Sequence, residues 1–188
     1  MTKLRIANPL KRAPKSLTLE KKVSVLFCCM GNICRSPTAE GVFANLVERH
    51  QVSGSVLFDS AGTHAYHIGE RPDPRAQEAA RRRGIDIGRQ AARRVEDRDF
   101  ERFDYIVAMD RDNLAVLESR CPPTHRQKLA LMLQYAPHLE LDEVPDPYYG
   151  GPQGFERVLD LIEAAAEGLL QEILTRQGGG RRSADADS

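Results

Sequence analysis

Cys29 and Arg35 stand with five residues between them in the run Cys28-Cys29-Met30-Gly31-Asn32-Ile33-Cys34-Arg35-Ser36-Pro37. A thiol attacks only as its thiolate, and a guanidinium is shaped to grip two oxygens of a phosphate at once. Ser36-Pro37 reads as a helix N-cap and first helical position, so the loop from Met30 to Arg35 ends on a helix N-terminus. Unpaired backbone N–H groups and the helix dipole favour an anion there. Gly31 supplies backbone freedom, and Asn32 tolerates the left-handed conformation. Such a loop turns several N–H groups inward and makes a nest, with phosphate as the natural guest. The same N–H groups would favour Cys29 as thiolate. Donors fixed on the equatorial oxygens would stabilise the charge that spreads there during attack. The Ser36 hydroxyl is placed to cap the helix and to hydrogen-bond the sulfur.

A phosphate ester also needs a proton for its leaving oxygen. Val144-Pro145-Asp146-Pro147-Tyr148-Tyr149-Gly150 sets one carboxylate between two prolines. The residues alone allow two readings of Asp146: a positioned acid, or an ordinary turn residue. Tyr148 and Tyr149 suit the walls of a slot for a flat ring.

The elements that must hold these groups alternate along the chain. Val23 to Cys28 is a nearly continuous apolar run, as in a strand covered on both faces. Ala39, Val42, Phe43, Leu46 and Val47 recur at helical spacing. Val56 to Phe58 reads as a second strand, Pro74 to Arg83 as a helix stopped by Gly84, and Tyr105 to Met109 as a third strand. Asn113 to Glu118 reads as a helix closed by Pro122 and Pro123, and Leu129 to Leu133 as a fourth strand. Phe155, Val158, Leu159, Ile162, Ala166, Leu169 and Ile173 mark a long amphipathic last helix. The expected fold is therefore α/β, a single domain with a four-stranded parallel sheet and helices on both faces. Ligands bind such sheets beyond the carboxyl ends of the strands, where the Cys29 loop falls.

The 188 residues fit one domain, read as residues 22–177. A basic flexible arm is expected over 1–21 and a disordered tail over 178–188. The net charge of zero gives no argument for nucleic acid, and no apolar run is long enough for membrane insertion. The four cysteines are irregularly spaced and point to a reducing, cytoplasmic setting rather than a disulfide framework. His64 and His67, with Cys28, Cys29 and Cys34, invite a metal site, but no C-x-x-C pair accompanies them; neither metal nor cofactor is expected.

The loop resembles the active-site loop of the low-molecular-weight protein tyrosine phosphatases. The resemblance continues through Asp59-Ser60-Ala61-Gly62-Thr63, Pro72-Asp73-Pro74-Arg75-Ala76, Phe103-Asp104-Tyr105-Ile106, Met109-Asp110 and Asp146-Pro147-Tyr148-Tyr149-Gly150. It implies a protein-tyrosine-phosphate hydrolase working through a phosphocysteine. Cys29 would be the nucleophile, Arg35 the phosphate clamp, and Asp146 the acid that later activates water. It also implies a loop-supporting pair in Asn32 and Ser60, an aromatic wall in Tyr66, and a second loop cysteine, Cys34, able to pair reversibly with the nucleophile. Where the family often has a histidine directed at the loop asparagine, this chain is aligned with Gln90. Cys28 reads as buried packing, and Cys121 carries no assigned role. The implied partner is a phosphotyrosine-containing protein, a bacterial tyrosine kinase among the possibilities. Three rivals stay open: an arsenate reductase, a protein arginine phosphatase of the same fold, and a non-catalytic phosphotyrosine-binding module. Only Cys121 follows the loop, too few for a thiol relay; Ile33, Tyr148 and Tyr149 favour phosphotyrosine.

Overall fold

The computed structural model describes residues 21–178. The expected basic arm (apart from Lys21) and the expected tail (apart from Gly178) lie outside the described residues. Four strands, β1 (Val23–Cys29), β2 (Val56–Gly62), β3 (Tyr105–Ala108) and β4 (Leu129–Leu131), form one sheet in the order β2-β1-β3-β4. Every pairing is parallel, with Cys29 opposite Gly62 and Cys28 opposite Ala108. The helices are α1 (Arg35–Arg49), α2 (Pro74–Arg82), α3 (Asp97–Arg102), α4 (Arg111–Arg120) and α5 (Gly151–Gly178).

All seven residues of β1 are buried, which is why its run is apolar without alternation. The pleat sends Val23, Val25, Phe27 and Cys29 into the larger core beneath α1, α2 and α5. Leu26 and Cys28 enter the smaller core on the other face, with Phe100, Phe103, Leu117 and Cys121. Cys28 and Cys121 are therefore packing residues on the opposite side of the sheet from Cys29.

Several boundaries differ from the sequence reading. β2 runs on to Gly62, because Asp59 and Ser60 are strand residues whose side chains serve polar partners. The short polar helix α3 had no apolar period to reveal it; it is held by Glu96 N–H donating to Asp99 Oδ2 at 2.8 Å and by buried Phe100. β4 stops at Leu131, and Met132 to Tyr135 turn into a 3₁₀ helix that packs on α5. No helix among the described residues is long and apolar enough to cross a membrane.

Candidate active site

The turn from β1 to α1 crosses the carboxyl end of the sheet, beside the central pair β1 and β3. Three of the carbonyls around it are held from outside. Thr63 N–H donates to Cys29 O at 2.8 Å, His64 N–H to Met30 O at 3.0 Å, and Asp73 N–H to Ile33 O at 2.7 Å. The N–H groups of Met30 to Cys34 have no hydrogen-bond partner among the described residues. A run of unpaired amides, with three carbonyls tied back away from them, is what an anion nest requires. Gly62 lets β2 approach this turn: a Cβ there would stand 2.8 Å from Met30 O.

Two details differ from the sequence reading. Gly31 does not take a positive φ; the left-handed residue is Asn32, at φ 57°. Ser36 is not the N-cap: α1 already starts at Arg35, Cys34 is its cap, and the Ser36 hydroxyl turns inward instead.

That hydroxyl belongs to a buried chain of hydrogen bonds. Asn32 Nδ2 donates to Ser36 Oγ and to Ser60 Oγ, each at 2.9 Å, and Asn32 Oδ1 accepts from Arg93 N–H at 2.9 Å. Every polar atom of the asparagine is thus used, which holds its left-handed backbone. Ser36 Oγ, accepting from Asn32, lies 3.0 Å from Cys29 Sγ and 3.5 Å from Ala61 O, so the sulfur is the better-placed acceptor for its proton. Ser60 Oγ donates to Glu40 Oε2 at 2.6 Å. Burial raises the pKa of Glu40, with the Ser60 bond opposing.

Gln90 does not reach Asn32. Its Nε2 donates to Pro37 O at 3.1 Å, and its Oε1 is buried without a partner among the described residues. The Arg93 backbone fills the role assigned to it, because the chain after Gly88 runs alongside β2 and brings residue 93, not 90, to the asparagine.

Arg35 is almost fully buried, at 2% exposure. Nη1 pairs with Asp110 Oδ2 and donates to Val144 O at 3.1 Å, while Nη2 donates to Asp146 Oδ2 at 3.1 Å. Burial alone would lower its pKa, but the Cys29 sulfur, Asp110 and Asp146 outweigh it, and the net shift is upward. Burial also raises the thiols of Cys28 and Cys34, the latter pushed up to about 12 with help from the nearby charges of Asp73, Cys29 and Asp146. Both stay protonated at neutral pH.

Cys29, Met30, Gly31, Ile33, Cys34, Arg35, Tyr66, His67, Asp146, Tyr148 and Tyr149 line one cavity of about 460 Å³. The structure thus brings Cys29, Arg35, Asp146 and the three tyrosines to one place, with the network of Asn32, Ser36 and Ser60 beneath. Tyr66 stacks on His64 with centroids 5.3 Å apart, and Tyr148 meets Tyr149 edge-on at 5.0 Å. His64 and His67 do not converge on the cysteines: His64 Nδ1 pairs with Thr63 Oγ1 and His67 Nδ1 with Glu70 Oε2. A second cavity, about 360 Å³, lies at the amino ends of the strands between Lys22, Tyr105, Tyr135 and Arg176, and its lining carries no cysteine.

Sequence reasoning missed Asp110 and His67 as site residues. Asp110 had a signal, since it follows the carboxyl end of β3 directly. His67 drew notice only with His64, as a candidate metal ligand, and not as part of the cavity wall.

Comparison with known proteins agrees with this geometry. The family model for low molecular weight phosphotyrosine protein phosphatase matches residues 24–178. The low molecular weight protein-tyrosine-phosphatase YfkJ of Bacillus subtilis is 42% identical over 151 residues, covering 80% of this chain and 96% of that one. The human low molecular weight phosphotyrosine protein phosphatase is 44% identical over 151 residues, covering 79% and 94%. A crystal structure of the protein tyrosine phosphatase from Entamoeba histolytica, with Hepes in its active site, superposes with a TM-score of 0.79 at 42% identity, covering 85% of this chain and 99% of that one.

Proposed function

The chain belongs to the low-molecular-weight phosphotyrosine protein phosphatase family, and on that premise we propose that it hydrolyses phosphotyrosine in proteins through a phosphocysteine on Cys29. The observation that carries this reading is the convergence of Cys29, Arg35 and Asp146 on one cavity. The phosphate sits on the N–H groups of Met30 to Cys34, with Arg35 gripping two oxygens. The Cys29 sulfur attacks phosphorus, the P–O bond to tyrosine breaks, and Asp146 gives its proton to the departing phenolate. Asp146, now a carboxylate, takes a proton from water as that water attacks the phosphocysteine, releasing phosphate and returning the sulfur. Ser36 Oγ, 3.0 Å from the sulfur, supports it as nucleophile and as leaving group.

Tyr66, Tyr148 and Tyr149 favour an aryl ester over a short alkyl one, because a phenyl ring fills the slot that a serine side chain leaves empty. We place the chain in the cytoplasm, a reading supported by its four free cysteines. A tyrosine kinase is the partner we propose to look for first. The test is hydrolysis of matched phosphotyrosyl and phosphoseryl peptides. We expect turnover of the first only, lost by about 10⁴-fold or more in Cys29→Ser while that variant still retains phosphotyrosyl proteins from a lysate. Equal turnover of both peptides, or an active Cys29→Ser, would refute the reading.

A further inference from the structure

Asp73 and Arg75 belong to neither reactive loop, yet they join the two. Asp73 N–H holds Ile33 O at 2.7 Å, inside the phosphate loop. The Asp73 carboxylate, mostly buried, accepts from Arg75 N–H at 2.8 Å, Nε at 3.0 Å and Nη2 at 2.7 Å. The remaining arm of that guanidinium, Nη1, donates to Tyr148 O at 2.9 Å. Its Cζ also lies over the rings of Tyr148 and Phe155, 5.1 and 4.8 Å from their centroids. Tyr148 N–H in turn donates to Asp146 Oδ1 at 3.0 Å. A continuous path thus runs from the loop that holds phosphate to the carboxylate that delivers the proton.

Two hydrogen bonds tie residues 145–150 to other elements among the described residues: Arg35 to Asp146 and Arg75 to Tyr148. The first uses the guanidinium that a bound phosphate needs. Arg75 is then the remaining tether. We infer that Arg75 is a positioning residue, which fixes Asp146 above Cys29 while substrate occupies Arg35. This rests on the proposed roles of Cys29 and Asp146. The site uses an arginine because one fork must serve a carboxylate and a carbonyl while stacking on two rings, which an ammonium cannot do.

The test is steady-state hydrolysis of p-nitrophenyl phosphate, whose leaving group needs little protonation, and of phenyl phosphate, whose leaving group needs it. For Arg75→Ala we expect kcat/KM, which stops at formation of the phosphocysteine and leaves out its clearance, to fall about tenfold on phenyl phosphate and about threefold or less on p-nitrophenyl phosphate. Added to Asp146→Ala, the same change should cost less than about twofold, since the group it positions is gone. Equal loss of kcat/KM on both esters, or the same cost in the Asp146→Ala background as in the unaltered chain, would overturn the inference. Should Arg75→Ala fail to fold, Arg75→Lys, which keeps the stem and the charge, faces the same two criteria with a smaller split expected. A chain that hydrolyses neither ester refutes the phosphatase reading and this inference together. A chain that hydrolyses both, with no split in the variants, refutes the role of Arg75 alone.

Discussion

Residues 30–36, proposed to hold phosphate, and residues 145–150, proposed to carry the acid, contribute to one cavity and are built in opposite ways. Residues 30–36 sit between a fully buried strand and the first turn of a helix, with Asn32, Arg35 and Ser36 all at 2% exposure or less. Residues 145–150 run over the surface, Tyr149 is 95% exposed, and arginine side chains from elsewhere in the chain hold the segment. Where charge must be stabilised, donors belong to the backbone and need no reorganisation. Where a proton must be delivered and a product released, the support is side chains that can let go. Damage to the first loop should therefore strike binding and chemistry together. Loss of the carboxylate in the second should strike protonation and spare the binding of phosphate.

The sharpest way to break this contrast is Asp146→Ala. We expect kcat/KM on phenyl phosphate to fall about 10²- to 10³-fold, the loss in kcat/KM to shrink with p-nitrophenyl phosphate, and the inhibition constant for vanadate to stay within a few-fold. A matching loss of vanadate affinity would mean that the acid loop also builds the anion site.

Asn32→Ala tests the other side. It removes three hydrogen bonds and leaves alanine at φ 57°. We expect about 2–3 kcal/mol of lost stability, read from denaturant unfolding, with KM rising and kcat falling together. Asn32→Gly, which tolerates the backbone but cannot make the bonds, should recover part of the stability and little of the activity. A variant that lost stability but kept its KM would show that the network supports the fold rather than the phosphate site.

The smallest effect concerns Glu40. Its pKa is raised in the folded chain, first by burial, so the folded state binds its proton more tightly than the unfolded one. The associated stability is present at low pH and is lost as pH rises through the folded value. Glu40→Gln should thus be at least as stable as the parent at neutral pH, by thermal unfolding, with the advantage vanishing below the ordinary carboxylate range. A variant less stable at neutral pH would mean that the Ser60 bond outweighs the burial.

The two loops also differ in how far the sequence discloses them. Both ends of the phosphate loop are marked by neighbours in the chain: an unbroken apolar strand before it and a helix signal after it. Even there the serine-proline pair misplaced the cap, because the same residues fit a first turn that starts two residues earlier with the serine hydroxyl turned to sulfur. The sheet and the larger helices follow from periodicity, which acts over a few residues. α3 and the end of β4 escaped because the first is polar and capped, and the second hands over to a 3₁₀ turn without any change of composition. The contacts of Arg75 with Tyr148, of Asp110 with Arg35, and of Arg93 with Asn32 join residues far apart in the chain. No local pattern encodes such pairs. Gln90 was placed by resemblance in a stretch where a shift of a few residues changes which side chain, or which amide, meets the loop.

The most direct measurement is to trap the covalent intermediate. In Asp146→Ala the water that clears a phosphocysteine lacks its base, so a rapid acid quench during turnover of p-nitrophenyl phosphate should preserve it, and mass spectrometry of the digested chain can locate it. The account predicts a phosphoryl group on the peptide that carries Cys29, and on its sulfur. A phosphoryl group on any other residue, or none while the burst of nitrophenol is present, would contradict it.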